Sequence, residues 1–296
     1  IQPAGQGNAG NVNLTVSGGV DIFAGKNGLP SRISSQVETD TVGNAGNIIV
    51  DASYFRLQDG AQISTSTSGR GDSGDKKIIT KETAVFSDNA AIFSTVEAGG
   101  VGKGGNIDIN AASLKIQYGA QLQTNISSAS DIQPAAKGDA GDVNIIVNGQ
   151  VDIAGDKNGF SSAILSAAEA GTEGNGGNIN IDTDSFKLRD GALLDARTEN
   201  QNKGGDITIN ANIFETLKGG QVISTTSNNG FAGKIKVNIT DKVVIKGIDP
   251  NYNNRVANFS SGIRNVGANS GFFVSSIGSG TTGDIKITSP KITLDT

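Results

Sequence analysis

Residues 105–126 read GNIDINAASLKIQYGAQLQTNI, and their spacing decides the fold. Ile107 and Ile109 alternate with Asp108, Leu114 and Ile116 alternate with Lys115, and Leu122 follows a Gly119-Ala120 turn. Period-two alternation marks strands with one buried face. The opening motif recurs at Gly10-Asn11-Val12-Asn13-Leu14, Gly46-Asn47-Ile48-Ile49-Val50, Gly141-Asp142-Val143-Asn144-Ile145 and Gly177-Asn178-Ile179-Asn180-Ile181. Later copies begin at Gly205, Gly233 and Gly283, and a degenerate copy at Gly74-Asp75 precedes Ile78 and Ile79. Successive glycines lie 36, 28, 31, 36, 36, 28, 28 and 50 residues apart.

Two more strands follow in each copy. The second carries pairs such as Val20/Ile22, Phe55/Leu57, Val151/Ile153 and Phe186/Leu188. The third carries Ile33, Ile63, Ile92, Leu122, Ile164, Leu194, Val222 or Ile263 and runs out into Ser and Thr. Three short strands with Gly/Asn/Asp corners cannot bury an apolar face alone, but they can when stacked on the next copy at ~4.8 Å. The pattern predicts an all-β chain: a parallel β-helix with three short strands per coil and about nine coils, roughly 40 Å long. Residues 1–296 read as one such solenoid, a segment of a longer chain. Gly and Asn suit the corners because they accept positive φ. Asn11, Asn47, Asn106 and Asn178 are expected to stack in a column, with their amides bonding along it.

The longer copies predict loops after strand two, at Gly25–Gly28, Gly155–Gly159 and Gly247–Arg255. All three follow a Val-x-Ile strand, so they should leave one edge of the rod, a natural place for ligand contacts.

Composition narrows the chemistry. The chain has no Cys, Met, His or Trp. That excludes a Ser-His-Asp triad, a Cys nucleophile, disulfides and the usual zinc or haem sites. No cofactor is expected. The net charge of −5, with 24 Lys and Arg against 29 Asp and Glu, argues against nucleic acid as a partner. No apolar run reaches the length of a membrane span.

The units GNAGNVNLTVSGGVDIFAGKNGLPSRISS, GNAGNIIVDASYFRLQDGAQISTSTSG and GGDITINANIFETLKGGQVISTTSNNGFAGKIKVNITDKVVIKG resemble the repeat region of filamentous haemagglutinin-like exoproteins, above all the large cyanobacterial versions. The resemblance covers essentially the whole chain. It implies a right-handed parallel β-helix, two-partner secretion through an outer-membrane barrel, and a role as surface adhesin, matrix protein or fibre. It supplies no catalytic residues.

Several motifs invite functional readings. Arg70-Gly71-Asp72 is a candidate adhesion loop, since Arg and carboxylate can reach separate partner charges; the same residues suit a solvated loop. Gly5-Gln6-Gly7-Asn8-Ala9-Gly10 has the spacing of a dinucleotide fingerprint, but a strand follows where a helix is needed. Asp156-Lys157-Asn158-Gly159 has too few carboxylates for calcium and reads as a turn. The outward column of strand two runs Asp21, Arg56, Lys115, Asp152, Lys187, Glu215 and Val244, a solvated face in which Asp152 and Lys187 are neighbours. A hydroxyl array of the ice-binding kind fails because Thr65-Ser66-Thr67 is not repeated in the Leu122 and Leu194 coils.

The leading expectation is a non-enzymatic, secreted or outer-surface adhesin, fibre or matrix segment, whose partners are cell-surface or matrix polysaccharide or protein. The alternatives are a carbohydrate-active β-helix (polysaccharide lyase, hydrolase or tail-spike-like domain) and a self-assembling filament subunit. The sequence starts its first motif by Gly10 and ends in mid-coil after Pro290, so end-to-end self-association is expected.

Overall fold

The computed structural model describes residues 5–24, 29–259 and 264–295. It is a parallel β-helix. The first-strand column runs through nine coils, from Val12–Thr15 to Ile285–Thr288. First and second strands of all coils form one 14-stranded sheet, and third strands form an eight-stranded sheet from Arg32–Val37 to Gly271–Ser276. The ladders are parallel, pairing Ile107 with Val143 and Leu122 with Ile164.

The expected inward residues do face inward: Ile107, Leu114, Ile116 and Leu122 are fully buried and Ile109 nearly so. The apolar columns merge into one continuous core. Aromatic rings stack within it, with Phe186 and Phe214 5.0 Å apart between centroids and Phe214 5.6 Å from Phe272. The third strands end on inward Ser and Thr, so Thr65, Thr67 and Thr226 are buried among the corner glycines. Burial, as well as the broken repeat, removes them from any hydroxyl array.

Four features depart from the sequence expectation. In coils five to eight the first two strands run as single bent strands, Val143–Ala154, Ile179–Arg189, Ile207–Leu217 and Ile235–Lys246. The bend is made with extended backbone, and no residue at it has positive φ. Positive φ occurs at the corner column of Gly43, Gly71, Gly138 and Gly174, as expected, and also at the turn into strand three, as consecutive left-handed pairs such as Asp59-Gly60, Tyr118-Gly119 and Asp190-Gly191.

The glycines that open strand one, such as Gly46 and Gly205, are needed for a different reason. A Cβ on Gly205 would lie 1.7 Å from the Gly177 carbonyl oxygen, and one on Gly46 2.1 Å from that of Gly10. Close approach of stacked backbones, not left-handed φ, demands glycine there.

The third-strand register of coil eight belongs to Phe272, paired with Val222. Ile263, read as that strand, lies outside the described residues. The insertion therefore runs on to about Ser270 and carries a helix, Tyr252–Phe259. The Gly25–Gly28 loop likewise lies outside the described residues.

Finally, the degenerate copy places Lys76, not an aliphatic residue, in the inward column between Ile48 and Ile107. Lys76 is fully buried. Its Nζ donates to Thr65 Oγ1 and, at 2.9 Å, to the Gly74 carbonyl. Burial holds its pKa well below the usual lysine value, against the smaller opposing pull of Asp75 and Asp108.

Candidate functional site

A concavity lies along the bend between first and second strands. It is an open groove of about 630 Å³ crossing five coils, from Ile146–Asn148 to Thr288. Alternation at the bend builds it. Val147, Ala211 and Ile239 turn inward and leave a floor, while the residues on either side point out as two walls. One wall is Asp182, Asn210 and Asn238; the other is Asp184, Asn212 and Thr240.

Hydrogen bonds run along each wall. Asn210 Nδ2 donates to Asp182 Oδ1 at 2.6 Å and Asn238 Nδ2 to Asn210 Oδ1 at 2.7 Å. In the second wall, Asn212 Nδ2 donates to Asp184 Oδ1 at 3.4 Å and Thr240 Oγ1 to Asn212 Oδ1 at 2.7 Å. Asp182 and Asp184 lie two residues apart on one strand, roughly 6.6 Å between Cα atoms. Glycosidases of the two-carboxylate kind also work through a pair of such groups. Both are exposed, however, and a general acid of that class is shielded from water.

A second locality joins the insertions of coils five and eight, which leave the same edge of the rod. The buried Arg255 of the helix pairs with Asp249 and donates to Ser161 Oγ at 3.0 Å, across 94 residues of sequence. Asp156 lies 3.9 Å from Arg255; burial raises its pKa, with Asp249 adding to the shift and Arg255 opposing it. A cavity of about 340 Å³ beside them is lined by Tyr118, Asp156, Arg189, Asp190 and Asp249. Farther along, the insertion lies over the outer face of the third sheet. Val266 N–H donates to Gln221 Oε1, and Arg264 approaches the buried Asp195 to 3.5 Å. Leu165 and Leu193, outward-facing in the sheet, are buried there.

Asp152 and Lys187 are register neighbours, but they do not pair with one another. The Asp152 carboxylate takes both Arg189 Nε and Nη2, at 3.0 and 2.9 Å, and Lys187 turns to Glu215. Lys157 of the Asp156–Gly159 turn pairs with Asp88. Among the described residues no group of three or more acidic side chains is placed to hold a metal.

Arg70, Gly71 and Asp72 form a coil corner, in line with Val42-Gly43-Asn44 and Val101-Gly102-Lys103. Asp72 Oδ1 accepts the Lys103 N–H at 2.8 Å, and a Cβ on Gly71 would lie 1.9 Å from the Gly43 oxygen. Arg70 bridges Val42 and Val101 through its backbone, and its side chain is exposed. Asn8 of the Gly5–Gly10 stretch belongs to the same column, its Oδ1 accepting from Asn44 N–H.

Asn11, Asn47, Asn106 and Asn178 share a second column with Asp75, Asp142 and Asp206. Each Oδ1 accepts the backbone N–H one coil on: Asn47 to Asn11, Asp75 to Asn47, Asn106 to Asp75 and Asp142 to Asn106, at 2.7–2.8 Å. The series continues through Asn178 and Asp206 to the Lys234 N–H. In every step a backbone N–H donates to a side-chain oxygen, so Asp serves as well as Asn; an amide bond along the column joins in once, where Asn178 Nδ2 donates to Asp142 Oδ1 at 3.1 Å. Comparison with known protein families, curated proteins and solved structures finds no match.

Proposed function

We propose that this chain is a non-enzymatic rod segment of an extracellular or outer-surface adhesin, fibre or matrix protein. The observation that carries the reading is the corner ladder from Asn11 to Lys234, which ties successive coils without a break. A stack joined at every coil by such bonds, over a continuous core, is a stiff spacer. Its outward columns and groove offer many weak polar contacts, which gain strength when repeated along a long molecule. Partners of this class are cell-surface or matrix polysaccharides or proteins. Export through an outer-membrane barrel follows from the resemblance to filamentous haemagglutinin-like exoproteins, and end-to-end association of rods belongs to the same reading.

One observation favours a second reading. The paired carboxylates Asp182 and Asp184 stand in the groove, as a carbohydrate-active β-helix would require. Their exposure and shared side of one strand weigh for a binding role.

The test compares single chains with beads carrying many copies, on whole cells and on matrix polysaccharide. Retention of the beads about 100-fold or more above the single chain is expected. Absence of any retention, or release of new reducing ends from the polysaccharide, refutes the reading.

A further inference from the structure

We infer that the groove along the sheet bend binds an uncharged, β-1,4-linked polysaccharide chain laid parallel to the rod axis. This rests on the adhesin or matrix reading and names the ligand class for one face of the rod.

Spacing is the first argument. Equivalent wall residues recur once per coil, every ~4.8 Å, and five coils line the groove, so it runs roughly 19 Å. A pyranose unit in an extended β-1,4-linked chain advances by nearly one coil and is turned over relative to the last, so the chain stays in step with the coils and alternate sugars present the same edge to the same wall. An extended peptide advances ~3.3 Å per residue and falls out of step after a single coil.

Charge is the second. The walls carry the carboxylates of Asp182 and Asp184, and no Lys or Arg lines the groove. Polyanions, nucleic acids and uronate polymers included, would meet like charge.

The third argument is hydrogen-bonding capacity held in place. Asn210 spends one amide N–H on Asp182 and takes one bond from Asn238. Its second N–H and a further lone pair remain for a ligand. Asn212 is engaged in the same way between Asp184 and Thr240. The walls are therefore pre-oriented, and a hydroxyl-rich chain meets fixed donors and acceptors without ordering them first.

The experiment uses the full chain and cello-oligosaccharides from the dimer to the hexamer, with oligogalacturonates of equal length as the anionic arm. Binding is read by titration calorimetry. Affinity should rise with length to about four sugars, the number the groove accommodates, and then level off. The double variant Asn212→Ala/Thr240→Ala, both exposed positions, should lose about tenfold or more in affinity while keeping the cooperative unfolding transition and far-ultraviolet circular dichroism of the parent. Failure to bind the tetramer, affinity independent of length, equal binding by the double variant, or preference for the oligogalacturonates each overturns the inference. Shortening of the probe overturns it in favour of catalysis. If the double variant still coats cells and matrix as well as the parent does, the groove assignment fails while the adhesin reading stands.

Discussion

Lys76→Met should stabilise this protein, and by an amount that depends on pH. The lysine sits at an inward position whose column neighbours, Ile48 and Ile107, are fully buried. A buried ammonium loses its hydration, and the two bonds it makes, to Thr65 Oγ1 and the Gly74 oxygen, offset only part of that loss. Methionine fills similar volume without the polar head. Thr65 Oγ1 also donates directly to the Gly74 oxygen, so the substitution orphans neither group. Replacement of buried charges by apolar residues of similar size gains about 1–4 kcal/mol in other proteins, and that is the range expected here near neutrality.

The sign with pH follows from the depressed pKa. The unfolded chain carries a proton on Lys76 up to its ordinary value of 10.5, whereas the folded chain gives it up lower. Between those two values the unfolded state binds more protons, so parental stability rises with pH by up to about 1.4 kcal/mol per unit from this group. Below the folded value the full penalty persists. The advantage of Lys76→Met is therefore largest at low pH, below the folded value, and shrinks as pH climbs from there toward 10.5. Urea denaturation followed by far-ultraviolet circular dichroism, for parent and variant across this range, measures the difference directly. A variant less stable than its parent at every pH, or an advantage that stays constant with pH, refutes the account of Lys76 as a desolvated amine.

Three further substitutions probe the coil. Ile109→Asp puts a carboxylate into the core beside Ile78 and Ile145 and should cost several kcal/mol, about 3–5; an unchanged urea midpoint would contradict the inward assignment. Asn47→Ala removes the acceptor of the Asp75 N–H and should cost about 0.5–1.5 kcal/mol, whereas Asn47→Asp, which keeps the oxygen, should cost less. Equal losses in the two variants would show that the ladder does not work through Oδ1. Gly205→Ala forces a methyl against the Gly177 carbonyl and should destabilise by about 1–3 kcal/mol, while Gly60→Ala, with open space at its Cβ, suffers only from its left-handed φ.

Much of the fold was legible because a β-helix writes its core as a column. Wherever Gly-Asn or Gly-Asp precedes two alternating aliphatics, as at Ile107 and Ile109, the inward face follows without knowledge of the neighbours. The copy at Gly74 hid Lys76 because Ile78 and Ile79 looked like the aliphatic pair, although only Ile78 lies in the inward column. The 50-residue gap before Gly283 hid Phe272, since Ile263 offered a plausible strand earlier in the insertion. The signal available was the Gly271-Phe272-Phe273-Val274 run, followed by serines as in other third strands. The bend that opens the groove was not legible. Its walls lie at the bend, where coils five and eight each hold one residue more than coils six and seven. Counted from the corner glycine, Asp184, Asn212 and Thr240 share one offset, as do Asp182, Asn210 and Asn238, so the repeats align each wall; what they do not give is the bend that sets the two walls apart.

The position of the groove follows from where the repeats are short. Coils six and seven come from the 28-residue copies between Gly177, Gly205 and Gly233, and they supply Asp182, Asp184, Asn210 and Asn212. With no insertion to accommodate, these coils stay in unbroken register through the bend, so Asp182 stacks on Asn210 and Asp184 on Asn212 and they hydrogen-bond as walls. The insertions of coils five and eight leave after strand two, beyond the bend, and the longer lies over the third sheet through Gln221 and Asp195. They bury that face and leave the bend open. One edge of the rod is thus closed by irregular chain, and the adjoining face stays regular enough to meet a polymer that repeats with the coil.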